Sequence, residues 1–104
     1  MYNGVYTMRI NLEALEFEWD QWNAGKNKKH NVADSESEEV FFDGHKTMLR
    51  DVLHSHREER FILLGKTKKA RLLFLVFTRR GKKIRIISAR DLNKKETHLY
   101  EKAA

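Results

Sequence analysis

A chain of 104 residues, 40% hydrophobic and 11% aromatic, has material for one domain and one core over residues 1–104 and none for a second. The absence of Cys excludes disulfides, thiolate nucleophiles and Cys-based zinc sites, and suits a reducing compartment, so cytoplasm is the expected location. The net charge of +6 is unevenly divided: residues 1–59 carry 7 Lys+Arg against 12 Asp+Glu and residues 60–104 carry 14 against 3, which points the second half at a polyanion, nucleic acid first.

The N-terminus, MYNGVYTMRIN, lacks the basic and apolar regions of a signal peptide, and no window approaches the ~18 apolar residues of a membrane span. Residues 1–7 have no periodicity and read as an extension, leaving Met8 as a candidate start. From Met8 to Trp19, apolar residues at Ile10, Leu12, Leu15, Phe17 and Trp19, with Glu16 and Glu18 interleaved, predict a half-buried strand. Asp20 is placed to cap a short helix through Lys29, whose basic end suits the helix dipole, with Asn31 closing it in the left-handed conformation. Ser35 and Glu38 form an S-x-x-E capping box ahead of Val40, Phe41 and Phe42, predicting a second short helix with an acidic solvent face. Asp43 to Arg57 reads as a connection, with at most a half-paired strand around Met48 to Val52. Three strands follow, Arg60 to Gly65, Leu72 to Thr78 and Ile84 to Ala89, separated by turn signals at Gly65–Lys69 and Arg80–Gly81. The middle one is apolar throughout Leu72 to Phe77 and is expected at the centre of the sheet, covered on both faces. Asn93 and Glu96 form a last capping box, and Leu92, Glu96, Leu99 and Tyr100 fall on one stripe of a C-terminal helix.

An Arg80–Gly81 hairpin loop pairs Arg79 with Lys82, Phe77 with Ile84, Leu75 with Ile86 and Leu73 with Ser88. Arg85 is then on the opposite face, across from Val76 and beside Ile87. A cation there needs a carboxylate or a phosphate, since burying it unpaired costs several kcal/mol, roughly.

FEWD at 17–20, KN at 26–27, KHNV at 29–32, EEVFFD at 38–43, EERF at 58–61, GKT at 65–67, RLLFLVFT at 71–78, IRIISAR at 84–90 and LNKKE with LYE at the end, in this order and spacing, resemble the BrnT family of bacterial type II toxins. The resemblance covers almost everything from Phe17 to Glu101. It implies a small α+β, RelE-like fold: a largely antiparallel four-stranded sheet with two short N-terminal helices and one C-terminal helix. It also implies messenger RNA cleavage without metal or cofactor, inhibition of translation, and neutralisation by a cognate BrnA-like ribbon-helix-helix antitoxin, through which alone operator DNA is bound. A dimer or a heterotetramer with the antitoxin is left open. Three departures stand out. The chain reads NKKH where the family usually has N-x-x-K-H, Ala33 and Asp34 replace a Ser and a bulky residue, and Ala70 stands where Gly is frequent.

Metal-free RNA cleavage needs a base for the 2′-hydroxyl, cations for the phosphorane and an acid for the leaving oxygen. Arg85, on a rigid strand, is the leading phosphate clamp, against a structural salt bridge to Glu59 or Glu96. Arg60 and Arg90, at strand ends, either bind phosphate or cap and pair. His30 is the natural general base, against a packed histidine at a helix terminus. Glu59 would orient His30 or an arginine, against a solvated carboxylate. Tyr100 would donate a proton or stack on a base, against a core tyrosine with its hydroxyl at the rim. Lys29, Lys66, Lys68, Lys69, Arg79, Lys82 and Lys83 form a basic track for RNA or an acidic antitoxin segment, against plain solubilisation. His54 and His56, with Asp51 or Glu58, are a weak metal signal, and no metal is expected. A second function class is a catalytically impaired module binding RNA or antitoxin; a solitary DNA-binding regulator is disfavoured, because no helix-turn-helix is evident.

Overall fold

Leu72 to Phe77 must be covered on both faces, and the strand containing them lies in the middle of the sheet. The computed structural model describes residues 15–51 and 58–103. Its strands are β1 (Glu16–Phe17), β2 (Thr47–Arg50), β3 (Arg60–Lys66), β4 (Leu72–Arg80) and β5 (Lys83–Asp91), in the order β1-β5-β4-β3-β2. The β2 to β5 strands form an antiparallel meander; β1 pairs parallel with β5, Glu16 beside Lys83 and Phe17 beside Ile84.

The expected four-stranded, largely antiparallel sheet with two N-terminal helices is therefore incorrect. Five strands form a mixed sheet, and the α-helices are one internal, α1 (Asp34–Glu39), and one C-terminal, α2 (Lys94–Ala103). Of the strand expected from Met8 to Trp19, Glu16–Phe17 is a strand, while residues 8–14, like the 1–7 extension, lie outside the described residues. The segment around Met48 pairs fully with β3, Met48 opposite Leu63 and Leu49 opposite Ile62, so it is a strand and not a connection. Its Val52, and the histidine pair at 54 and 56, lie outside the described residues.

The helix expected over Asp20–Lys29 is a turn followed by a 3₁₀ helix, Lys26–His30. Gly25 sits at φ 68°, a left-handed conformation that no helix continues through. Asp20 does accept the Trp22 N–H at 2.8 Å, as a capping side chain would, but its carboxylate is also held by Arg85. Asn31 closes the segment at φ 60°, as expected. The α1 helix starts at Asp34 with Ala33 at the cap position, not Ser35, and Glu36 Oε1 accepts the Ala33 N–H at 3.0 Å. A tighter 3₁₀ turn, Val40–Phe42, then drives Val40 and Phe41 into the core. The C-terminal capping box forms as expected: Asn93 Oδ1 accepts the Glu96 N–H and Glu96 accepts the Asn93 N–H, both at 2.9 Å.

One face of the sheet packs Phe61, Leu63, Leu73, Leu75, Phe77, Ile84 and Ile86 against Val32, Val40 and Phe41. Edge-on aromatic contacts knit it, with Phe41 5.0 Å from Phe77 and 5.3 Å from Phe17 between ring centroids. The other face packs Leu49, Ile62, Leu64 and Phe74 with Tyr100, Leu92 and Leu99 of the C-terminal segment.

The β4–β5 register differs from the expected one. Arg80 pairs with Lys83, Arg79 with Ile84, Thr78 with Arg85 and Phe77 with Ile86. The loop is Gly81–Lys82, with Gly81 at φ 60°, so the turn lies one residue further along than Arg80–Gly81. Between the turn and Phe77 this displaces the pairing by two, which preserves the faces there, including that of Arg85; beyond it the displacement is three, so Ser88, expected opposite Leu73, lies on the other face. A bulge between Val76 and Phe77 accommodates Ile87 as an extra residue, after which Val76 pairs with Ser88 and Phe74 with Arg90. Without it, Arg90 would point into the Phe41 core.

Ala70 adopts φ 65° in the β3–β4 turn, where Thr67 O accepts its N–H at 3.0 Å. A Cβ in this region is strained by ~1–2 kcal/mol, part of which glycine's greater unfolded-state freedom offsets. Ala70→Gly is expected to stabilise the fold by roughly 0.5–1 kcal/mol, raising Tm by about 4 °C in thermal unfolding.

Candidate functional site

Side chains on directly paired residues share a face, so the register builds the site. Asp51 N donates to Arg60 O, Arg60 pairs with Thr78, Thr78 with Arg85, and Glu18 N donates to Ile84 O, which brings Glu18 alongside Arg85. Asp51, Arg60, Thr78, Arg85 and Glu18 thus form one row across the sheet, Asp51 and Glu18 each one residue past the end of an edge strand: acid, base, hydroxyl, base, acid. The Cα atoms of Arg60 and Arg85, two strand spacings apart, lie about 10 Å from each other. The row occupies the sheet face that also carries α2, on the part beyond the Tyr100 cluster.

Beside it lies a shallow basin of about 230 Å³, floored by Ile62, Phe74, Val76 and Ile87 and edged by Asp51, Arg60 and Ser88. Arg90 adjoins it, its guanidinium carbon 3.9 Å from the centroid of the Phe74 ring. Glu96, 2% exposed, holds the Arg90 fork at 2.8 and 2.9 Å. One carboxylate therefore both caps α2 and orients an arginine.

Arg85 is only 8% exposed. Asp20 accepts two hydrogen bonds from it, at 2.8 and 2.9 Å, and Glu18 a third at 3.2 Å. These partners are neither Glu59 nor Glu96; they come from the segment after β1. The hydrogen bonds that Arg85 donates to Asp20, opposed by burial, raise the Arg85 pKa above its ordinary value, and the same hydrogen bonds, then that of the Trp22 N–H, lower that of Asp20. Arg80 extends the network, bridging Glu18 at 3.3 Å and Glu58 at 3.5 Å.

The family model described as "Ribonuclease toxin, BrnT, of type II toxin-antitoxin system" matches residues 19–96. The chain belongs to this family. Membership implies an antitoxin partner. Comparison with individually curated proteins gives no match. Among the described residues, no helix is long and apolar enough to cross a membrane, and no three His, Asp or Glu side chains converge as metal ligands would.

The BrnT motifs disperse over the fold. His30 and Lys29 are exposed at the end of the 3₁₀ helix; Arg71, which binds Asp91, also donates to His30 O at 3.3 Å. Asp91 is six residues beyond Arg85 along β5, so His30 lies about 20 Å from that arginine at ~3.3 Å per residue. Glu59 is exposed and 3.7 Å from Arg50, not from His30. Tyr100 is buried, donating to Asp43 Oδ2 at 2.7 Å, and takes no part in the arginine row. Lys66, Lys68 and Lys69 flank the β3–β4 turn, while Arg79, Lys82 and Lys83 flank the β4–β5 turn at the opposite end of the sheet, about 25–30 Å away. The basic track is thus two clusters, with Lys29 nearer the first.

Three structural anchors escaped the sequence reading. Asn23 donates to Glu18 O at 2.9 Å and Ile86 O at 3.1 Å, and Asn27 accepts the Ala89 N–H at 2.9 Å, so two side chains stand in for a longer edge strand along β5. Arg71 ties Asp91 (2.8 Å), Asn31 O (2.7 Å) and Glu36 (3.4 Å) together, joining β4, β5 and α1. The KN motif at 26–27 and the Arg opening RLLFLVFT were the available signals.

Burial, and then the hydrogen bond to Asp43, push the Tyr100 hydroxyl up to about 12. Burial raises Asp43, but hydrogen bonds from Tyr100 and from the His45 and Lys66 amides outweigh it and hold the carboxyl below its ordinary value. A raised tyrosine stabilises the fold fully below pH ~10 and ceases to as pH rises through about 12; a lowered carboxylate stabilises above pH ~4 and ceases to as pH falls through its folded value. Tyr100→Phe should cost about 1.5 kcal/mol near neutrality. Urea unfolding across pH should show that difference narrowing at both extremes.

Proposed function

We propose that this protein is a metal-independent endoribonuclease that cleaves RNA and inhibits translation, and that a BrnA-like ribbon-helix-helix antitoxin neutralises it. The observation that carries the reading is the Arg60–Thr78–Arg85 row beside the basin, in a chain that belongs to a ribonuclease toxin family. Arginines on two rigid strands of one sheet, β3 and β5, offer planar donors to a phosphate and to the charge that develops in its transition state. Arg60, at the rim of the basin, is the leading phosphate ligand. Arg85 sits in the same row, and its carboxylate partners fix its position. The two lysine clusters, at opposite ends of the sheet, supply electrostatic steering along an extended strand.

The antitoxin would cover this basic face, and its DNA-binding part would be the only route to operator DNA. An adjacent downstream reading frame for a small ribbon-helix-helix protein would support that pairing. Cytoplasm is the compartment in which such a partner and substrate are met.

A second reading, a catalytically impaired module that binds RNA or antitoxin, draws on two observations. Arg85 already has carboxylates on its fork, and His30 stands far from the row.

Induction of the chain alone should arrest growth, with new RNA 5′ ends on primer extension. Arg60→Ala should reduce cleavage by about 10²-fold, the usual scale for losing one transition-state donor, in protein that thermal unfolding shows to be folded at the assay temperature. Arg85→Ala should lower Tm as well as activity, because it leaves Asp20 without its cation and Glu18 with Arg80 alone. Wild-type cleavage by folded Arg60→Ala would sink the site assignment; absence of cleavage by the wild type, with retained RNA binding, would favour the binding module.

A further inference from the structure

The geometry points to Arg90 as a stacking surface for one unpaired base of single-stranded RNA, with Glu96 as its positioning residue. This rests on the RNA-cleaving reading above and adds how the substrate is held. Arg90 lies on Phe74 with its guanidinium carbon 3.9 Å from the ring centroid. Its two terminal nitrogens donate to Glu96 Oε1 and Oε2 at 2.8 and 2.9 Å, and Nη1 also donates to Asp91 O at 3.1 Å. A guanidinium has two edges' worth of donors and two flat faces. Here the terminal donors serve protein carboxylate and carbonyl, the bidentate geometry a phosphate would otherwise occupy, while the side chain remains 36% exposed. The planar surface of the guanidinium is what this arrangement presents to a base.

The surroundings suit a base better than a phosphate. The adjoining basin is floored by Ile62, Phe74, Val76 and Ile87, apolar groups that would desolvate an anion without compensating it. Nucleobases stack on arginine planes and on aromatic rings, and only unpaired strands present their faces. Glu96 makes the surface rigid. Its side chain is 2% exposed, and the cap preceding α2 fixes it through the Asn93 N–H, which Oε1 accepts at 2.9 Å. The bulge at Ile87 turns Arg90 onto this face, two residues beyond Ser88.

The test is binding of a 2′-O-methyl RNA oligonucleotide of about ten nucleotides, a typical single-strand site size, carrying 2-aminopurine. The probe lacks the 2′-hydroxyl nucleophile, so binding is read apart from cleavage. Wild type should bind the single strand more tightly than its duplex and quench the fluorophore at one position. Arg90→Lys, which keeps the charge and a partner for Glu96, should weaken binding about tenfold, within the range for one lost base stack. The salt slope should be unchanged. Arg90→Tyr should recover most of the affinity. Glu96→Gln, which keeps an acceptor for the Asn93 N–H, should weaken binding in the wild-type background and add nothing in Arg90→Ala.

Thermal unfolding establishes that each variant is folded at the assay temperature. Wild-type affinity in Arg90→Lys, together with a salt slope reduced by about one in Arg90→Ala, would make Arg90 a phosphate contact and overturn the inference alone. Lowered Tm with unchanged affinity throughout the series would reduce the pair to an anchor for α2 and would likewise overturn the inference alone. A wild type that binds no RNA would overturn both this inference and the RNA-cleaving reading.

Discussion

A guanidinium within a sheet has to be answered by negative charge, and the position of Arg85 governs how the front of this chain is arranged. Its partners are Glu18 and Asp20, which reach it because the preceding residues run parallel to β5. The pairing of β1 is only two residues long and would contribute little by itself. The ion pairs, together with Asn23 bonded to Ile86 O and Asn27 to the Ala89 N–H, hold the N-terminal segment along the remaining edge of β5. From there the chain crosses one sheet face through α1 and the 3₁₀ turn to reach β2 on the far edge. The mixed character of the sheet is thus bound up with one buried cation.

The opposite face is divided by α2. Tyr100, Leu92 and Leu99 cover Leu64, Phe74 and Leu72 at one end, and the polar row from Asp51 to Glu18 lies on the other part. Glu96 stands at the boundary, joining the cap of α2 to Arg90. Tyr100 and Asp43 secure the covered end through a part-buried hydrogen bond. A rigid sheet with a partly covered face is a suitable platform for phosphate ligands, because strand side chains are placed more firmly than loop side chains.

Much of the fold was legible because its signals are local. The apolar run Leu72–Phe77 announced a central strand, Asn31 a left-handed closure, and Asn93 with Glu96 a reciprocal cap; each depends on residues within a few positions of one another. The hairpin register was misplaced by two, yet the face of Arg85 came out right, since side-chain alternation survives an even shift. Elsewhere, local signals were overridden. Asp20 looked like a helix cap but is held by a residue 65 positions away. His30 looked like the general base of a site centred on Arg85 and lies toward the other end of β5. The cationic turns looked like one track and lie at opposite ends of β4.

The sequence by itself determined the family, the meander, the C-terminal helix and the presence of an arginine needing a counter-charge, because period, capping and turn chemistry are written in short stretches. Only the tertiary structure decided that β1 runs parallel, that Glu18 and Asp20 neutralise Arg85, and that Arg60, Thr78 and Arg85 share a row. The bulge at Ile87 likewise belongs to the tertiary level, since it follows from packing two strands of unequal local length against a common core. Pairing register and charge partnership are relations between distant segments, and their energies exist only once the sheet has brought those segments together.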